Sequence, residues 1–458
     1  MNKIGLRRNG RNQLRLLHVL VIALVAALLA ACGGQGPDTT GDGDIKTVVI
    51  WDRAGSQATI KQKYFETWNA GEGKQAKVVV KYEPQAADKY EELVRVAFQT
   101  KRGPDIFHTP SSQLGGFVSA GWVQPLDEVI DAGVLEAAKP YLGKNSELVW
   151  GGKPYAIPTT SFTNRLLINR ELFTQAGLDP DSPPATFSEL AAASKKIAAV
   201  SPGKVYGFGM PVKWVGFRQW IVDLPIMAGD ADVTNGLFNQ TSATYESTKY
   251  ASMVQTYRTM IADKSAYPGA ATLDQDVTWA AFAKGEVGMI VTSSAVVAAM
   301  TQLKSTVDAV AAPLPVADGA TLVRSPMNAG YPYGISSTTA DPEAAGVALQ
   351  ALAGDAVQEE LAKGDAPPLS PTVWDSAIMK DKPLLMSFRP GPTDQQWPKN
   401  PNAVVAVEGQ SVDLTIVSLI VKPETPIEST LADLQTRYQA AYDKAVADGE
   451  LEPGEFTR

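Results

Sequence analysis

Cys32 is the only cysteine among the 458 residues, and His18 and His108 are the only histidines. The residues around Cys32 say what chemistry it does. Leu29-Ala30-Ala31-Cys32 closes an apolar run from Val19 to Ala31, preceded by Lys3, Arg7, Arg8, Arg11 and Arg15. A basic end, an apolar run and small residues before a cysteine read as a bacterial export signal ending in a lipobox. The run is shorter than the roughly 20 residues a permanent membrane helix needs. On this reading residues 1–31 are removed and Cys32 becomes the first residue and carries the lipid.

The body that remains has no thiol, and His108 is its one imidazole. That leaves no disulfide framework, cysteine nucleophile or thiolate site. A Ser-His-Asp triad would rest on His108 alone, and no His-rich metal cage is available. Neither a metal nor a cofactor is expected. An enzyme made from this chain would work through carboxylates, Lys or Tyr. Loss of the five positive leader charges takes the formal net charge from −8 to −13. An acidic body does not suit nucleic acid, which calls for a basic stripe. It suits a body held at a membrane by lipid rather than by charge. Binding chemistry remains: 9 Trp and 14 Tyr, many beside Gly and Pro, offer flat apolar faces with polar tips.

The elements that position these groups follow from pattern. Residues 33–44 are Gly- and Asp-rich and read as a flexible tether. Thr47–Trp51 reads as a buried strand, and Ile60, Tyr64, Phe65 and Trp68 follow at helical spacing. Lys77–Tyr82 is a second strand, Tyr90–Phe98 a second helix ended near Gly103, and Gly103-Pro104-Asp105-Ile106-Phe107 returns to the sheet as a third strand. This alternation predicts an α/β lobe with a largely parallel sheet. Ligands of such sheets sit beyond the strands' carboxyl ends. Asp52 and Arg53 therefore share a rim with His108, Ser111 and Gln113, while Asp105 bonds backbone in its turn. Leu166–Asn169 and Val287–Val291 are further strands. Thr186-Phe187-Ser188-Glu189 carries a capping box, and residues 205–240 read as loops and short helices. Residues 311–326 are Pro-rich and link lobes or form an edge. Asp341-Pro342-Glu343 starts a helix that stops near Gly364, and Leu431, Leu434, Tyr438 and Ala441 mark a last amphipathic helix.

Several fragments stand in a suggestive order: the lipobox, Gly103-Pro-Asp-Ile106, Gly152-Lys-Pro-Tyr-Ala-Ile-Pro158, Ile168-Asn-Arg-Glu-Leu-Phe173, Pro184-Ala-Thr-Phe-Ser-Glu-Leu190 and Phe282-Ala-Lys-Gly-Glu-Val-Gly-Met289. From about residue 45 to 350 the chain resembles the extracellular solute-binding proteins of bacterial ABC importers, in the group that includes maltose- and oligosaccharide-binding proteins. The resemblance implies an α/β, two-lobed periplasmic-binding-protein-like fold. Each lobe would be a mostly parallel sheet flanked by helices, the two joined by a multi-strand hinge. It puts chain crossings near Pro158–Thr163, Val287–Val291 and Asn328–Ile335. It implies a leader over 1–31, a tether over 32–44, a first lobe of 45–158 plus 290–328, and a second of 159–289 plus 329–458.

What it implies of function is a monomeric, lipid-anchored receptor on the outer face of the cell membrane. Such a receptor closes on a carbohydrate and hands it to permease subunits. A sugar needs planar donors and acceptors for its hydroxyl edges and rings for its C–H faces. Trp279, before the second crossing, and Tyr331 and Tyr333, around Pro332 at the third, are candidate stacking residues, with Trp214 and Trp220 in the loop-rich insertion. Asp52, Arg53, His108, Ser111 and Gln113 supply the polar contacts. Tyr155 packs the hinge, and Trp374 and Trp397 are available to cap the cleft. Two other readings stay open. One is a receptor for a polyol phosphate or peptide, which for phosphate needs convergent basic groups. The other is an exported glycosidase, which needs two carboxylates roughly 5–9 Å apart across a sugar.

Overall fold

The computed structural model describes residues 45–403 and 405–458. The leader 1–31, Cys32 and the tether 32–44 lie outside the described residues. The strands of the two main sheets are, in chain order, β1 (Lys46–Arg53), β2 (Val78–Gln85), β3 (Ile106–His108), β4 (Thr160–Asn169), β5 (Tyr206–Phe208), β6 (Val287–Ser293), β7 (Ala309–Ala312), β8 (Ser325–Gly330), β9 (Tyr333–Ile335) and β10 (Asp394–Gln396).

The first sheet has the order β9-β3-β1-β2. β1 runs parallel to both neighbours, with Val48 opposite Val80 and Ile50 opposite Ile106. Val48, Ile50, Val80 and Tyr82 alternate into the core, as a period of two requires. Phe65 and Trp68 pack on them from the helix Ser56–Ala70. Asp105 fastens the turn before β3: its carboxylate accepts from the Val49 N–H at 2.8 Å and the Thr339 hydroxyl at 2.6 Å.

The second sheet has the order β10-β8-β4-β6-β5, with β7 also paired to β4. It is mixed, not mostly parallel. β6, β7 and β8 all run antiparallel to β4, while β5 is parallel to β6 and β10 to β8. The apolar run in β4 announces burial on both faces, and a run of that kind is compatible with neighbours of either direction. Helix starts were set locally. Thr186 and Glu189 form the expected capping box, and Gly177, at φ +70°, ends the helix Arg170–Gln175.

Two features differ from expectation. Val287–Ser293 does not cross between lobes; it is buried throughout, between β4 and β5. Residues 290–328 sit with the second sheet, since Val291, Ala312, Leu314 and Val316 share a core with Leu166 and Ile168. Tyr333, Ile335, Ala345 and Leu349 share the first core with Ile50 and Val80. Hydrophobic spacing marks a buried face but not which sheet buries it. The helix begun by Pro342 is two, Pro342–Ala353 and Asp355–Lys363, parted at Gly354. No helix among the described residues is long and apolar enough to cross a membrane.

Candidate functional site

Three stretches of chain pass between the sheets. Near Ile157–Thr160 the chain leaves a bridge to Tyr333 and enters β4. At Gly330–Tyr333 it leaves β8 and enters β9. Near Ala366–Ser370 it returns, with Ser161 N–H bonded to Pro367 O at 3.2 Å. In the middle passage Tyr331 takes φ +45°, a left-handed value that costs an ordinary residue energy and persists only when its surroundings fix it. They do: Thr159 donates its hydroxyl to Tyr331 O at 3.1 Å, and Thr109 N–H bonds Pro332 O at 2.8 Å.

A cleft of about 1000 Å³ lies between the sheets. The first lobe contributes Arg53, Glu91, His108, Ser111, Gln113 and Glu147. The second contributes Phe162, Trp214, Arg218, Trp220, Asn328 and Trp397, and Tyr331 stands at the passage between them. Arg53 ends β1 and His108 ends β3, so both lie on the carboxyl rim of the parallel strands. Ser111 and Gln113 open the helix Ser111–Ser119 just beyond. Trp220 is carried by the π-turn Arg218–Val222, and Trp397 directly follows β10.

The aromatic groups form a continuous series. Ring centroids are 6.4 Å apart for Trp214 and Trp220, 6.5 Å for Trp220 and Phe162, 6.1 Å for Phe162 and Tyr331, and 5.4 Å for Tyr331 and His108. Three buried polar atoms on this lining have no hydrogen-bond partner among the described residues: His108 Nδ1, Asn328 Oδ1 and Trp397 Nε1. Their side chains belong to residues 5 %, 8 % and 4 % exposed. Leaving such a group unpaired costs about 1–3 kcal/mol. Burial holds the His108 imidazole down to about 3, against an opposing pull from Asp52, so it is neutral near pH 7. Burial pushes the Glu147 carboxyl up to about 7. Arg218 is already committed, donating Nε to Asp413 at 2.8 Å and pairing with Asp223.

Of the residues expected at the site, Arg53, His108, Ser111, Gln113, Trp214, Trp220 and Tyr331 line one cleft. Asp52, Tyr333 and Trp279 do not. Asp52 is fully buried beneath it, 3.5 Å from the fully buried Lys61 ammonium, which also donates to the Tyr333 hydroxyl at 2.7 Å. Burial raises the proton affinity of Asp52, but Lys61, His108 and the Tyr82 and Tyr333 hydroxyls outweigh it and hold its pKa below the ordinary value. A strand alternates faces, so Asp52 points inward where Arg53 points to the rim. Trp279 packs with the Phe282 and Ile290 core and donates Nε1 to Thr292 at 3.1 Å. Trp374 is likewise core, its Nε1 bonded to Pro368 O at 2.8 Å. Tyr155 packs against the first core. Glu147, Phe162 and Asn328 were not singled out from the sequence. Phe162 and Asn328 lie on crossing segments, which was the available signal; Glu147 gave none.

Groups that donate and accept, set among ring faces, suit a solute bearing hydroxyls on its edges and C–H on its faces.

Comparison with known proteins fits this geometry. Residues 54–359 match the model of the bacterial extracellular solute-binding protein family. A Brucella abortus protein described as a binding protein is 30 % identical over 184 residues, which are 39 % of this chain and 41 % of that relative. The maltotriose-binding protein of Pyrococcus abyssi is 29 % identical over 122 residues, 27 % of this chain and 25 % of its own. The matches thus span less than half of either relative. Among solved structures, the GacH receptor of Streptomyces glaucescens, studied unliganded and with acarbose, superposes with TM-score 0.67 at 20 % identity, over 87 % of this chain and 98 % of that one.

Proposed function

We propose, for a chain that belongs to the bacterial extracellular solute-binding protein family, that it captures a carbohydrate between its lobes and passes it unaltered to the permease of an ABC importer. The observation that carries this reading is one cleft lined by the rings of Trp214, Trp220, Phe162 and Tyr331 together with the polar side chains of Arg53, Ser111, Gln113 and Asn328. A hydroxyl is donor and acceptor at once, so one class of ligand suits a guanidinium, a hydroxyl and side-chain amides. The Pyrococcus relative named for maltotriose and the Streptomyces receptor studied with acarbose support the same class of ligand.

The mechanism is biased closure. Arg53, His108, Ser111 and Gln113 approach the solute from the first lobe, Trp214, Trp220, Asn328 and Trp397 from the second. Contacts from both lobes exist together only in the closed form, so ligand shifts the open–closed balance by its differential affinity. No bond is broken. A lipid on Cys32 keeps this monomeric receptor at the outer face of the membrane. A thermal-shift panel of maltotriose, raffinose, xylotriose, glycerol 3-phosphate and a tripeptide tests the reading. A ligand raises stability by an amount set by its concentration over Kd. Stabilisation by an oligosaccharide is expected; stabilisation by the phosphate or peptide with none by sugars overturns it.

A further inference from the structure

We propose that Lys399 is a positioning residue of the cleft, tying the first-lobe loop 145–151 to the second lobe and holding the lobes together before ligand arrives. This rests on the capture reading above for its consequence, though not for its test. Lys399 is 1 % exposed. Its backbone N–H bonds Asn145 O at 2.6 Å, and its ammonium donates to Val149 O at 2.8 Å. The same ammonium pairs with Glu455 and lies 4.5 Å from the Trp150 ring centroid. Glu455 in turn accepts from the Gly151 N–H at 3.1 Å, and Phe456 meets Trp150 edge to face at 6.0 Å.

A buried ammonium persists only where it is paired and hydrogen-bonded. Here the one carboxylate, Glu455, adjoins Phe456 of the second core, as Lys399 follows Trp397 of that core, while Val149 follows Leu148 of the first core and Trp150 packs against both. Parting the lobes strips the ammonium of its carbonyl and its ring and strips Glu455 of the Gly151 amide. Both segments it joins reach the cleft. Glu147 sits within the loop, and Trp397 lies two residues before Lys399. Docking of Lys399 therefore sets both the lobe balance and the placement of two lining side chains. Contacts made only in the closed form add to ligand affinity without touching ligand.

The absence of any body cysteine makes the test clean. In the full chain carrying Cys32→Ser, exposed Arg95 and Gln255, one on each lobe, become the labelled pair Arg95→Cys and Gln255→Cys. Inter-label distance is then read by single-molecule energy transfer with no ligand added. The parent is expected to show both distances, with the short one favoured. Lys399→Met is expected to move the long-to-short ratio about tenfold or more toward the long state, and Glu455→Gln in the same direction by less. Unfolding curves, read in parallel, identify any variant that fails to fold; Glu455 is partly exposed, so Glu455→Gln decides the matter if Lys399→Met does not fold. An unchanged distance distribution in the folded variants overturns the proposal. Failure of the carbohydrate reading would instead appear in the ligand panel and leave these ligand-free distances as predicted.

Discussion

Trp220 and Trp397 meet with ring centroids 4.7 Å apart and planes 63° apart, and the buried Trp397 Nε1–H bonds to no described protein group. Trp397→Phe removes the donor and narrows the ring that lines the cleft. Loss of an unpaired buried donor stabilises the ligand-free protein by up to about 1 kcal/mol, while loss of indole face lowers affinity for a bound oligosaccharide about tenfold, or ~1.4 kcal/mol. Denaturant unfolding and titration calorimetry read the two effects, which have opposite signs.

Trp279 and Trp220 form a contrasting pair. Trp279 donates to Thr292 within a core, so Trp279→Phe costs about 1 kcal/mol of stability and leaves ligand affinity unchanged. Trp220 faces the cleft, so Trp220→Ala weakens oligosaccharide binding by about tenfold, the scale of a lost aromatic contact. Calorimetric titration of both variants distinguishes them.

His108 and Glu147 give stability opposite dependences on pH. Between pH 6.5 and about 3 the unfolded chain binds a proton on His108 that the folded protein refuses. Stability therefore falls as pH drops through that window, at up to about 1.4 kcal/mol per pH unit. Glu147 is the reverse: its folded pKa of about 7 exceeds the ordinary 4.5, so its contribution is full below 4.5 and is lost as pH rises through 7. Urea unfolding from pH 4 to 8 checks this. His108→Gln flattens the acid side, and Glu147→Gln removes the decline above about pH 5.

Lys61 and Asp52 form a buried pair beneath the rim. Lys61→Met strands a buried carboxylate and costs about 3–5 kcal/mol. Adding Asp52→Asn recovers much of that loss, because the stranded charge is gone. Chemical unfolding of the two single variants and the double variant measures the coupling.

The first lobe was legible because its signals are local. Val48 and Ile50 alternate, Tyr90, Val94 and Phe98 repeat on one helix face, and Arg53 and His108 fall at strand ends where the fold class places ligands. The passage through Tyr331 and Pro332 was legible from its broken pattern. The partners of Val287–Ser293 were not. An apolar strand records that it is buried, and β4, more than a hundred residues earlier, determines where. Trp279 precedes that strand, so its place in the sequence is that of a ring beside a crossing, while its place in the fold is a core. Asn328, Glu147 and Trp397 come together from three distant segments, and no spacing in the chain encodes that meeting. Asp52 and Arg53 show the finer limit: adjacent residues at a strand's end face opposite ways, and which one meets ligand depends on the register with β2.

The most direct test of the account is calorimetric titration of maltotriose, raffinose and xylotriose into the unmodified protein and into Trp220→Ala. The account predicts saturable binding of one oligosaccharide per chain, weakened about tenfold by the substitution. Saturable binding of glycerol 3-phosphate or a tripeptide with no heat from any of the sugars, or sugar binding indifferent to Trp220, would contradict it.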